Sequence, residues 1–229
     1  MKRFAALLMT AMVICATVLT GCQQKLVPAD QTVAALYELM LKNDAKPAVD
    51  LMGFSSEDEA KEALMEDDNT ELVDMFKEEF EALGVEFTDE EIQEMSDALM
   101  GLVNKMTCTT EITQESKDEV TVLLKMRGYN NSDIEQLMVD LQTEAVANLD
   151  ADTQMAIATG DEEALMDFMK QIMKDYMAKL GELELAEGER EITVKCEKLT
   201  VKVGGKDKVF WLPADMDKFT DDVDNATFQ

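Results

Sequence analysis

Two stretches of this chain leave helical periodicity for strict alternation, and they limit the fold more than any other feature. From Lys105 to Arg127 the sequence reads KMTCTTEITQESKDEVTVLLKMR. Met106, Cys108, Thr110 and Ile112 share one face, Gln114 to Asp118 form a polar turn, and Val120, Val122, Leu124 and Met126 share a face on the return. That pattern is a β-hairpin with one buried face. From Glu191 to Leu212 the pattern recurs around Gly204-Gly205, residues that reach positive φ without a Cβ clash. There Ile192, Val194 and Cys196 are in one phase and Leu199, Val201 and Val203 in the other, which predicts a β-bulge near Glu197 or Lys198.

The intervening segments carry the 3.6-residue period. Capping-box spacing occurs at Ser56 to Glu59, Thr88 to Glu91 and Ser132 to Glu135, where a hydroxyl can accept from a free amide and the acid can reach back. Phe87 and Ile92 flank the second box at hydrophobic-staple positions. These signals predict helices over about 31–43, 56–83, 89–103, 132–148 and 161–180, with a shorter one over 151–158. The expected fold is therefore α+β, with helices packed on an antiparallel sheet made from two hairpins. The hairpins also resemble each other. Cys108 precedes Lys117-Asp118-Glu119-Val120 as Cys196 precedes Lys206-Asp207-Lys208-Val209, which fits either a helices-then-hairpin duplication or a chance match of amphipathic hairpins.

The N-terminus reads MKRFAALLMTAMVICATVLTGC. Lys2 and Arg3 make a basic n-region, and the apolar run from Phe4 to Leu19 is short for a membrane span. Leu19-Thr20-Gly21-Cys22 resembles the lipobox of bacterial prolipoproteins, which implies cleavage before Cys22 and a diacylglyceryl thioether on its sulfur. The expected organisation is a signal at 1–21, a lipidated tether at 22–29, one acidic α+β domain at 30–213 and a polar C-terminal tail at 214–229. The segment from Gln23 to Ala29 reaches on the order of 25 Å when fully extended, so the domain is expected close to the bilayer.

Charge narrows the partners. The chain carries 49 acids against 21 Lys and Arg, a formal charge of -28, and the signal removes two more basic residues and no acid. Nucleic acid and anionic headgroups are repelled by such a surface. Hydrophobic residues make up 46% and are periodic, which places the charge on a folded surface rather than in a disordered chain. The acids are uneven: positions 30–103 hold 22 against four lysines, whereas Arg190, Lys195, Lys198, Lys202, Lys206 and Lys208 form a basic strip in the second hairpin. That strip reads either as protection of exposed strands or as an anion- or partner-docking face.

Histidine is absent, which excludes imidazole-dependent acid-base catalysis, Ser-His and Cys-His nucleophiles, and imidazole zinc sites. None of the five serines lies in a Gly-x-Ser-x-Gly elbow or a Ser-x-x-Lys pattern. No Asp-x-Asp-x-Asp-Gly calcium loop occurs; Asp150 with Asp152, or Asp221, Asp222 and Asp224, could at most supply a weak site. Met166, Met169, Met173 and Met177 fall on one arc with Leu165, Phe168, Ile172, Tyr176 and Leu180, read as core or as a thioether stripe for copper(I) or apolar ligands. Cys108 and Cys196 sit on apparent core faces, as a disulfide or as two inert buried thiols.

In layout the chain resembles membrane-anchored lipoproteins of Gram-positive, Firmicute-type bacteria. The shared features are the lipobox, a short tether, an acidic helix-rich domain with strand pairs, and a Trp strand near the end, here Val209-Phe210-Trp211-Leu212. The resemblance implies a location on the outer face of the cytoplasmic membrane, with no cofactor beyond the lipid on Cys22, and it transfers no catalytic residue. The expected function is a non-enzymatic module that binds an envelope protein or small ligand. Two alternatives are a carboxylate-dependent hydrolase of cell-wall glycans and a metal or apolar-ligand carrier using the Met-rich helix.

Overall fold

The computed structural model describes residues 26–65, 77, 80 and 84–228. Among them the elements run α1 (Ala29–Lys42), α2 (Lys46–Met52), α3 (Glu57–Leu64), α4 (Asp89–Lys105), β1 (Thr107–Glu115), β2 (Glu119–Arg127), α5 (Asn131–Asn148), α6 (Ala151–Ala158), α7 (Glu162–Leu180), β3 (Arg190–Val203), β4 (Lys206–Pro213) and α8 (Met216–Thr227). The α+β class stands, with one four-stranded antiparallel sheet in the order β1-β2-β3-β4. The described residues group into two compact units. Of these residues, the first takes 26–65, 107–127 and 188–227, and the second takes 77, 80, 84–106, 128–187 and 228.

The first unit holds the sheet. Cys108 pairs with Met126, Thr110 with Leu124 and Ile112 with Val122, and then Val120 pairs with Cys196, Val122 with Val194 and Leu124 with Ile192. Directly paired residues share a face, so the alternation in the sequence assembles one apolar face. Val120, Val122, Leu124, Met126, Ile192, Val194 and Cys196 are all buried on it. The register shifts once, between Ile112 and Gln114 in the edge strand β1. On the opposite face Lys125 reaches Glu111 at 3.5 Å and Glu191 at 3.7 Å, a cross-strand ladder with largely exposed acids.

β3 does not bulge where the change of phase predicted it. Its pairings with β2 and β4 both run without a register break. Residues 190–197 pair with β2 and 196–203 with β4, so only Cys196 and Glu197 lie between two strands. With alternation intact, Val201 and Val203 are buried on the face opposite Ile192, Val194 and Cys196. The strand exchanges its buried face because its two halves have different neighbours: α8 packs on β2 and β3, and α3 packs on β3.

The helices of this unit are placed by specific bonds. α1 lies against β1, β2 and β4 and buries Val33, Leu36, Tyr37 and Leu39. Ser56 caps α3 by accepting from Glu59 N. The Glu59 carboxylate accepts from Ser55 N and from Gly204 N in the β3–β4 turn. Those two backbone donors hold its pKa below the usual carboxylate range, with Lys208 adding a smaller attraction.

Three expectations are corrected here. The helix over 56–83 stops at Leu64, with Met65 in extended conformation, and the rest of that span lies almost wholly outside the described residues. The capping box at Ser132 is not formed; Asn130 occupies the N-cap and bonds the Asp133 side chain, so the helix starts a residue earlier. The polar tail over 214–229 is largely α8, which buries Phe219, Val223 and Ala226 and accepts a bond from Arg190 at the Ala226 carbonyl.

The second unit is helical. Thr88 and Glu91 form the full capping box at the start of α4. α7 packs against α4, α5 and α6. Tyr129 donates to the Leu102 carbonyl at 2.8 Å, and Phe228 stacks on its ring with centroids 6.4 Å apart. Leu102, Val103, Met106, Met177 and Leu180 are buried in this unit.

Candidate binding cleft

α7 is the spine of the second unit, and its two sides are finished differently. On the α4 side, Glu91 receives Lys170 at 2.7 Å and Lys174 at 3.1 Å while still bonding Thr88 N. The carboxylate is 18% exposed, and the Lys170 bond, then the Thr88 amide, then Lys174 pull its pKa down to about 2. Lys170 also lies 5.2 Å from the Phe87 ring centroid. That side is closed by charge pairs over a buried floor.

The other side is open. Between α5 and α7 runs a cleft of about 490 Å³, which Leu149 and Asp150 also line. Leu141, Glu144, Ala145 and Asn148 line it from α5, and Phe168, Gln171, Ile172, Asp175 and Lys179 from α7. Both walls repeat at three- and four-residue spacing, so each presents one helical stripe. Leu141, Ala145, Phe168 and Ile172 are only half-buried, and neither α5 nor α6 buries any residue fully. Beyond the cleft, Val139, Val146, Met155, Leu165 and Met169 are exposed. Asp150 is held ionised below its usual range because its carboxylate accepts from Thr153 and Asp152 at the start of α6.

Other candidate residues are dispersed. Cys22 lies outside the described residues. Cys108 and Cys196 are free thiols on one sheet face, separated by β2 and by six positions of register. That separation is on the order of 20 Å, far beyond the Cα distance of about 7 Å that a disulfide tolerates, so of the two alternatives the structure has the free thiols. Burial, with the Glu38 carboxylate second, pushes the Cys108 thiol up to about 11, and burial pushes Cys196 up to about 12. Both are poor nucleophiles at neutral pH. On the methionine arc only Met177 is buried; Met169 is exposed, and Met166 and Met173 are half-buried.

The basic strip is not one surface. Lys195 and Lys202 lie on opposite faces of β3. Lys198 bonds the Lys117 carbonyl and lies 4.8 Å from the Trp211 ring centroid, while Lys208 binds the carbonyls of Met52 and Gly53 at the end of α2. Asp222 pairs with Lys218 within α8. Among the described residues no group of three His, Cys, Asp or Glu side chains is placed to hold a metal ion, and no helix is long and apolar enough to cross a membrane.

Sequence reasoning placed α5 and α7 but missed the cleft. The signal available was the stripe Leu141, Ala145 and Asn148 facing Phe168, Ile172 and Asp175, which becomes a site only once the two helices are known to be neighbours.

No protein-family model matches the chain, and no curated protein matches it. Among solved structures it is similar to the candidate lipoprotein YcdA of Bacillus subtilis, with a TM-score of 0.55 and 16% identity. The match covers 89% of this chain and 57% of that one, so the chain spans little more than half of YcdA's length. At that identity the likeness is one of fold.

Proposed function

We propose that the chain is a bacterial surface lipoprotein, anchored through lipid on Cys22 to the outer face of the cytoplasmic membrane, that works as a non-enzymatic binding module. The observation that carries the binding role is the α5–α7 cleft, whose apolar floor is left half-exposed on an otherwise strongly acidic chain. A concave apolar floor bordered by polar side chains supports reading this cleft as a contact site. The anchor is supported by the n-region, apolar run and Leu19-Thr20-Gly21-Cys22, and by the fold shared with a candidate lipoprotein of Bacillus subtilis. The absence of histidine and the raised cysteines support the non-enzymatic reading.

Two measurements test this. Cys22→Ala should move the protein from the membrane fraction to the medium, and retention in the membrane refutes the anchor. Photo-crosslinking in intact cells from positions in the cleft should yield a discrete protein partner. Cleft positions that capture nothing, combined with clearing of cell-wall material in a zymogram, would replace the binding role by a hydrolytic one.

A further inference from the structure

We propose that the α5–α7 cleft receives an amphipathic helix of a partner protein, with apolar side chains on its inner face and Lys or Arg along its flanks. This rests on the binding-module reading above and adds the chemistry of the occupant. Three observations point to it.

The first is the state of α5. Ile134, Leu137, Met138, Leu141 and Ala145 recur at three- and four-residue spacing, yet none is buried in a helix of 18 residues. A helix in a folded protein takes most of its stability from burying such a stripe. α7 covers this one incompletely, and a further helix laid beside it would complete the burial.

The second is shape. From Phe168 to Lys179 the α7 wall is about 16 Å long, some three helical turns. Both walls are ridges at helical spacing, the surface into which the ridges of a third helix fit. The result would be a local three-helix bundle.

The third is charge. Glu144, Asp150 and Asp175 border the cleft, and the one cation in its lining, Lys179, pairs with Glu182 at 3.1 Å. Lys170 and Lys174 on the same helix are engaged by Glu91. Asp150 is occupied in capping α6 and Asp175 accepts from Gln171, but neither of those contacts supplies positive charge. A neutral apolar ligand would cover the floor and gain nothing from the three exposed acids at the rim. An anionic lipid headgroup would be repelled. A helix with basic flanks satisfies the floor and the rim together.

The test uses full-length protein in phosphatidylcholine nanodiscs, with empty nanodiscs as blank, and a fluorescent 18-residue synthetic helix carrying a leucine stripe flanked by lysines. Anisotropy should report saturable binding that weakens about tenfold or more when Glu144→Lys and Asp175→Lys are combined, since each contact then changes from attraction to repulsion. The matching peptide with glutamate flanks should bind the reversed protein better than the native one. Ile172→Asp should weaken the lysine peptide without restoring the glutamate one, and the far-ultraviolet spectrum of each variant checks that the helices persist. Absence of binding above the blank, or equal binding of both peptides to native protein, overturns the proposal. A partner crosslinked in cells through another surface, with the peptide result negative, removes this occupant while leaving the binding module in place.

Discussion

Replacing Glu91 by glutamine removes one negative charge from the contact between α4 and α7 and leaves a side chain of nearly the same shape. In the native protein that carboxylate receives Lys170 at 2.7 Å, Lys174 at 3.1 Å and the backbone amide of Thr88 at 2.9 Å. The glutamine carbonyl can still accept from Thr88, so the cap is mostly kept and the loss falls on the lysine pairs. The Glu91 pKa falls from 4.5 to about 2, a difference equivalent to about 3.4 kcal/mol at 1.36 kcal/mol for each pH unit. Lys170 and Lys174 are 25% and 36% exposed, so water screens part of this, and the Thr88 bond that glutamine keeps accounts for another part, leaving a loss of about 1 kcal/mol expected at pH 7. The folded carboxyl is the stronger acid. Its contribution is therefore complete above the unfolded value of 4.5 and declines as pH falls toward about 2, with roughly 40% left at pH 3. Urea unfolding of native and Glu91→Gln protein at pH 7 and pH 3 measures the difference at each pH. A difference below about 0.5 kcal/mol at pH 7, the range of an ordinary surface pair, or one that does not shrink at pH 3, refutes the reasoning.

Three further outcomes follow from the first unit. Glu59→Gln should raise the hydrogen-exchange rate of the Gly204 amide, because the neutral amide oxygen accepts more weakly than the carboxylate; unchanged exchange would show that the turn holds itself. Phe219→Ala should cost about 3 kcal/mol by leaving a cavity beneath α8, read from the urea midpoint, whereas a near-zero change would return this segment to a solvated tail. Denatured, unreduced lipid-anchored protein should react with thiol reagent at both Cys108 and Cys196, and native protein at pH 8 should react slowly at either; a pair found bonded would contradict the strand register.

The sheet was legible because its information is local. Alternation at Val120, Val122, Leu124 and Met126 needs only neighbouring residues to state which face is buried, and Gly204-Gly205 states where the chain turns. Thr88 and Glu91 were legible for the same reason, since a capping box closes within four residues. The failures are also instructive. Ser132 carries the same spacing as Thr88, but the helix starts after Asn130, whose side chain bonds the Asp133 carboxylate rather than a free amide, so the spacing alone does not choose the start. The phase change in β3 was seen correctly and attributed to the wrong cause. A bulge and an exchange of covering partners produce the same sequence pattern, and only knowing that β2 pairs with the first half and β4 with the second separates them.

α8 was missed because its composition misleads. Five aspartates in the span from Asp215 to Asp224 read as a solvated tail, yet Phe219, Val223 and Ala226 recur at four- and three-residue spacing and define the stripe that is buried. The cleft was out of reach for a different reason. Nothing in the stripe on α5 distinguishes a face that the fold covers from one that it leaves open, because both require the same apolar residues at the same spacing. The difference lies in the partner: Lys170 and Lys174 commit one side of α7 to Glu91 on α4, and the side facing α5 receives no comparable closure. A charge on α4, distant in sequence, thus helps decide which surface of α7 is spent on folding. The binding role proposed for the other surface depends on that division, which is why the stability experiment on Glu91 and the peptide experiment on Glu144 and Asp175 examine opposite sides of the same helix.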